Sequence, residues 1–273
     1  MWDAASGQKK QRFKLDKGGR GVNAITISQD GSLIALTDNS NDHNIYFFNA
    51  SSGNREWKEK GDTNRIFDLS FNTKSGGDVR CCSVGKNHIK FWNPSDKSVE
   101  KGIFGDASLA TSFACCTYDS DGLCYAGATN SEIYVWEGRN LKTTVKNVHK
   151  GGFICAIKWM GGKIYSGGKD GNVVVTNSTS LEVERSFNFG CLIRAIDIEG
   201  SKALVGLRDG TIFHLDIESQ AKKEIMESHS EGEVWGLAPI DDTHVITTGD
   251  DNKVKVWDIA ARKCEKTGIV SNE

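Results

Sequence analysis

Short apolar runs and polar turns alternate along the whole chain. One set of runs alternates in the manner of half-buried strands: "NAITIS", "IFDLSF", "TSFACCTY", "ICAIKWM", "IRAIDIE" and "EVWGLAPI". Each is followed by a second apolar run, "LIALT", "RCCSVG", "LCYAGA", "KIYSGG", "ALVGL" or "HVITTG". Tight polar turns come next, clearest as "KDGN" at 169–172, "RDGT" at 208–211 and "DDNK" at 250–253. Asp-Gly between two strand-like runs is a strong hairpin signal. A third run ends on an aromatic and a polar residue, and a more polar fourth run such as "REWKEK", "EVERSFN" or "AKKEIMES" closes the unit. Apolar residues at three-four spacing are almost absent, so the pattern predicts strands and no helices.

The unit repeats. Its third run ends at Asn49, Asn93, Glu137, Asn177, Asp216 and Asp258, at intervals of 44, 44, 40, 39 and 42 residues. A period of this length with a Trp-Asp ending is the signature of four-stranded propeller blades. The chain therefore resembles a WD-repeat β-propeller, with full blades expected at about 22–60, 64–104, 110–147, 152–187, 190–228 and 232–270. Residues 1–21 hold "MWD" and "QKKQRFKL", which read as the end of a third strand and a fourth strand of a seventh blade. Two explanations are open: a longer protein whose upstream residues complete that blade, or a six-bladed ring with an N-terminal arm. The all-β fold expected is a single propeller over 1–273 whose ring is partial or open. An incomplete blade leaves an edge through which copies could associate.

Composition narrows the function classes. Charge is nearly balanced, 34 Lys and Arg against 36 Asp and Glu, so no global field favours nucleic acid or a membrane surface. No apolar run reaches membrane-spanning length, and the first residues lack the apolar core of a secretory signal. Together these features predict a cytoplasmic protein. Cys81, Cys82, Cys115, Cys116, Cys124, Cys155 and Cys191 sit in apolar, strand-like runs without a Cys-x-x-Cys pair, which predicts reduced thiols.

One constellation of chemistry-bearing residues recurs. In WD-repeat blades a His before the first strand, a Ser or Thr in the second, the turn Asp and the third-strand Trp form a hydrogen-bond chain. The last repeat holds all four as His229, Thr247, Asp251 and Trp257. The fourth keeps His149, Ser166 and Asp170 but has Thr176 in place of the Trp, and the fifth keeps Asp209 with Leu215. Lys86 and Asn130 take the Asp position in two others. A His-Asp pair also suits acid–base catalysis, but here both residues fall where they would stiffen a hairpin.

"HSEGEVWGLAPIDDTHVITTGDDNKVKVWD", "RIFDLSFN" with "SVGKNHIKFW", "KIYSGGKDGNVVV" and "RAIDIEGSKALVGLRDGTIFHLD" together resemble the echinoderm microtubule-associated protein-like (EMAP-like) family. The resemblance covers most of the chain, follows blade order and corresponds to most of that family's first propeller. It implies tubulin or microtubule binding, association with the cytoskeleton, and recognition through loops on a rigid scaffold. Tubulin's acidic surface would favour basic contacts, for which Lys9, Lys10, Arg12, Lys142, Lys146, Lys150, Lys222 and Lys223 are candidates. Trp57 and Trp235 are candidate aromatic contacts for the same or another protein partner. A propeller hydrolase is the distant alternative. The six histidines are scattered over different blades, and no nucleophile elbow, phosphate loop or metal cluster is visible, so neither enzyme activity nor a cofactor is expected.

Overall fold

The computed structural model describes residues 1–74, 79–105, 111–230 and 232–270. Among them there are no helices and twenty-four named strands, grouped into six four-stranded antiparallel sheets. The sheets span residues 22–59, 66–101, 113–145, 154–188, 193–226 and 234–269. Within each sheet the strands follow chain order, so every connection is a hairpin between neighbours. The expected start of the third blade, residue 110, lies outside the described residues.

Burial explains the sequence pattern. Second strands such as Leu33–Asp38, Cys81–Gly85, Leu123–Ala128 and Lys163–Gly168 lie between two neighbouring strands and are buried along almost their whole length. Their apolar runs are accordingly unbroken. Fourth strands form an outer edge and are mostly exposed, as at Arg55–Glu59 and Val183–Asn188. Their charged residues keep that edge from pairing with another chain.

The first strands of sheets one to five lie side by side in chain order. Apolar residues fill each gap: Phe47 and Trp57 meet Ile66 and Trp92, and Phe91 meets Phe113 and Trp136. Tyr125 and Ile133 meet Ile154, and Val175 meets Ile193 and Val205. The sixth sheet contributes no residue to these buried clusters, and the sheets do not close into a ring. Its first strand, Val234–Pro239, is exposed at Val234, Trp235 and Leu237, and the first strand of sheet one is exposed at Val22, Ile25 and Ile27.

The N-terminal residues repeat the hairpin found between third and fourth strands elsewhere. Trp2 bridges Lys9 at the same seven-residue offset by which Trp92 pairs with Val99 and Trp257 with Cys264. Asp3 Oδ1 accepts from the Ala5 and Ser6 amides, as Asn49 does from Ser51 and Ser52 and Asp216 from Glu218 and Ser219. Four residues after each of these caps the backbone enters the left-handed region: Gly7, Gly53 and Gln220 have φ of 68°, 74° and 61°. Glycine adopts this conformation without the steric penalty that a side chain brings. The fourth strand expected over residues 8–15 is reduced to the Lys9 bridge, since a ladder needs a partner along its length. Beyond it the chain docks on sheet one through Phe13 against Phe48 and Asp16 against Arg55 and Lys58.

Candidate functional site

The residues that define the repeat converge in the sixth sheet. His229 precedes its first strand, Thr247 lies in the second, Asp251 opens the next turn and Trp257 lies in the third. Trp257 Nε1 donates to Thr247 Oγ1 at 2.7 Å, and Thr247 Oγ1 lies 2.8 Å from His229 Nε2. His229 Nδ1 lies 2.9 Å from Asp251 Oδ1. An indole only donates, so one consistent chain runs from Trp257 through the threonine hydroxyl to Nε2, with the Nδ1 proton donated to the carboxylate. The backbone amides of Ser230 and Lys253 also donate to Asp251. Burial pushes this carboxyl upward, but the His229 contact and the two amides outweigh it and bring it to about 2. Both ring nitrogens of His229 are occupied, which suits a brace across the hairpin.

The fourth sheet holds the same trio without the indole. His149 Nδ1 is 2.9 Å from Asp170 Oδ1, and Nε2 is 2.9 Å from Ser166 Oγ. Thr176, at the Trp position, is buried and its hydroxyl has no partner. Register shows how the other sheets solve the same position. Sheet two pairs Trp92 with Ser83 at 2.8 Å, sheet one sets Phe48 over Leu36, and sheet five sets Leu215 over Val205. Sheet three keeps Trp136 but places Ala126 beneath it, and the indole nitrogen is unpaired. In sheet two the acid and base exchange strands: Asp62, before the sheet, meets Lys90 at 2.9 Å and His88 at 3.7 Å on the third strand.

The candidate partner contacts are dispersed. Lys9, Lys10 and Arg12 are on the N-terminal segment, Lys142 is on the outer strand of sheet three, Lys146 and Lys150 are in the link after it, and Lys222 and Lys223 are on the outer strand of sheet five. Lys10 pairs with Asp3 at 2.6 Å and Lys142 with Glu137 at 3.3 Å, while Lys222 lies over the Phe189 ring. Lys9, Arg12, Lys146, Lys150 and Lys223 are exposed and have no acidic partner among the described residues.

The two tryptophans differ. Trp57 is only 8% exposed, stacks on Phe47 at 5.1 Å and lies 5.9 Å from Trp92 of the next sheet. Its polar sequence neighbours face solvent, while the alternate face of that strand packs against sheet two. Trp235 is 72% exposed, and its indole donates to Asp250 at 2.6 Å. Asp250 also accepts from the Glu233 amide, a support that the sequence pattern alone did not single out.

Six four-stranded sheets in chain order, one braced by a complete His–Thr–Asp–Trp chain and another by its His–Ser–Asp part, are the blades of a WD-repeat propeller. The family model for the WD domain, G-beta repeat, matches residues 221–258. The chain is 44% identical, over its full length and 38% of the relative's, to "Ciliary WD repeat-containing protein ctxp80" of Euplotoides octocarinatus. It is 26% identical to echinoderm microtubule-associated protein-like 2 of Mus musculus, covering 94% of this chain and 41% of the relative. For echinoderm microtubule-associated protein-like 3 of Homo sapiens the identity is 24%, over 94% and 32%. The blades are those of a WD-repeat propeller, and the chain is homologous to EMAP-like and ciliary WD-repeat proteins, spanning about a third to two-fifths of the length of these relatives.

Proposed function

We propose that this propeller is a non-catalytic interaction module that contributes to tubulin or microtubule binding and so to cytoskeletal organisation. The observation that carries this reading is the extent of the likeness. Similarity to relatives named as microtubule-associated runs over 94% or more of the chain, and so through all six sheets. The exposed Lys9, Arg12, Lys146, Lys150 and Lys223 are the basic contacts an acidic tubulin surface would select. Co-sedimentation of the protein with microtubules across a salt series tests it. Pelleting that weakens steeply with salt, and falls again when Lys146, Lys150 and Lys223 are replaced by Glu, is the expected result. Absence of pelleting at low salt overturns the reading.

A second reading is a scaffold for another ciliary or cytoskeletal protein. It is favoured by the 44% identity to a ciliary WD-repeat protein and by the open apolar strand carrying Val234, Trp235 and Leu237. Binding of a protein partner that is lost on Trp235→Ala, with microtubule pelleting unchanged, would separate it from the first.

A further inference from the structure

Sheets one, three, four and six have an outer corner where three positions meet: the first residue of the second strand, the last of the third, and the bulged residue of the fourth. In sheet four Lys163 pairs across the ladder with Asn177. Thr176 faces Val183 and Val175 faces Arg185, so Glu184 is the extra residue, and a bulge re-aims its side chain. The corner is self-neutralising: Lys163 Nζ is 2.8 Å from Glu184 Oε2, and Asn177 Nδ2 donates to Glu184 Oε1 at 3.0 Å.

Sheet six builds the same corner from different chemistry. His244 pairs across the ladder with Asp258, and the bulge between Cys264 and Lys266 re-aims Glu265. His244 Nε2 lies 3.3 Å from Glu265 Oε2, and the ligating atoms of His244, Asp258 and Glu265 all lie within 4.8 Å of one another. The lysine and the amide of sheet four have become an imidazole and a second carboxylate. Lys263, opposite Asp258, makes no ion pair with either acid among the described residues. Asp241 Oδ1 is 3.0 Å from His244 Nδ1, leaving Nε2 turned towards Glu265.

We propose that His244 Nε2, Asp258 and Glu265 bind a divalent transition-metal ion, zinc by the chemistry of the set. One imidazole and two carboxylates are a common ligand set for zinc, and a carboxylate behind the far ring nitrogen is the support that zinc-bound histidines use. Two ligand atoms each about 2.0–2.1 Å from a tetrahedral ion lie about 3.3–3.4 Å apart, the separation found between His244 and Glu265. His244 and Glu265 are 28% and 43% exposed at their side chains, so the ion has an entry path and water can complete its shell. Asp258 Oδ1 accepts from the Ala261 amide, which anchors that carboxylate as a ligand.

The test is calorimetric titration of the chain with Zn²⁺ alone, beside the double variant His244→Lys with Asp258→Asn. That variant installs the trio of sheet four on the same backbone corner, so it retains a neutralised, foldable site, which circular dichroism in chelator verifies. The expected result is one Zn²⁺ per chain for the parent, with affinity at least about tenfold weaker in the double variant and in Asp241→Asn. Zinc raises the Tm of the parent and not of the double variant. Equal binding by parent and double variant, or no binding by either, overturns the proposal. So does a Co²⁺ titration with thiolate charge-transfer absorption, which would put the ion on cysteine.

Discussion

Ala126 lies beneath Trp136 at the register position where Thr247 lies beneath Trp257, and it leaves the indole N–H of a fully buried tryptophan without an acceptor. In sheet two the same position is Ser83, which accepts from Trp92 at 2.8 Å. Ala126→Ser is therefore expected to stabilise the protein by about 0.5–1.5 kcal/mol, the net value of a hydrogen bond, as read by urea denaturation. The converse change, Thr247→Val, strands both the Trp257 N–H and His229 Nε2 and is expected to cost about 1–3 kcal/mol. A destabilised Ala126→Ser with unchanged m-value would mean that the added oxygen overpacks the site instead of pairing.

Thr176 presents the opposite mismatch. Its sheet has Ser166 as acceptor, but that hydroxyl is 2.9 Å from His149 and the Thr176 hydroxyl is buried with no partner. Thr176→Val keeps the shape and removes the unpaired group. It is expected to raise stability by about 1 kcal/mol, within the range of the penalty for an unsatisfied buried hydroxyl. A loss of stability would show that a water or an alternative rotamer satisfies the threonine in solution.

Much of this was legible in the sequence, and what was not shares one cause. Unbroken second-strand runs and Asp-Gly turns gave the strands because burial on both faces demands the first and tight hairpins the second. The His229–Asp251 chain was legible because the last repeat holds all four side chains at the offsets typical of WD-repeat blades and the fourth repeat holds three of them. Trp57 was not, because "REWKEK" reads as a polar edge and only the packing of sheet two on its inner face reveals the burial. The Trp136–Ala126 gap and the His244–Glu265 corner depend on cross-strand register and on a bulge, neither of which a single strand's sequence states. Asn49 and Asp216 do end their third strands, as the sequence indicates, but the capping of the following turn by their side chains, and by that of Asp3, was not legible.

Two carboxyls give pH dependence of opposite sign. Asp251, brought down from 3.8 to about 2, favours the folded state once ionised; its contribution is present above about 4 and is lost as pH falls through about 2. Asp68 is raised to about 6 because burial outweighs the amides of Cys116 and Leu69, which donate to it at 2.9 Å. Its contribution is full below about 4 and is lost as pH rises through about 6. Urea denaturation between pH 2 and 7 should show both limbs. Asp251→Asn makes the acid limb shallower without abolishing it, since Asp3, Asp30, Asp62 and Asp241 are also held low by their hydrogen bonds. Asp68→Asn flattens the limb between pH 4 and 7 whatever constant offset it adds. An unchanged upper limb in Asp68→Asn would place the titrating group elsewhere.

Sheet six is joined to sheet five through a buried ammonium. Lys255 is fully buried on its third strand; its Nζ pairs with Glu227, at the end of sheet five, and with Thr267 Oγ1 at 3.1 Å. Thr267 donates in turn to Glu227 at 2.7 Å. The pair is asymmetric, for the Glu227 side chain is 23% exposed and keeps access to water, whereas Lys255 has none. Removing the acid should therefore harm more than removing the base. Glu227→Ala is expected to cost about 3 kcal/mol, the low end for stranding a buried charge, since water can reach the vacated site. Lys255→Met should cost less, because the remaining carboxylate can be hydrated. The double variant should recover part of the loss, since neither charge is then left buried without its partner. Denaturation of the three variants closes a double-mutant cycle, and equal costs for the two single changes would refute the asymmetry.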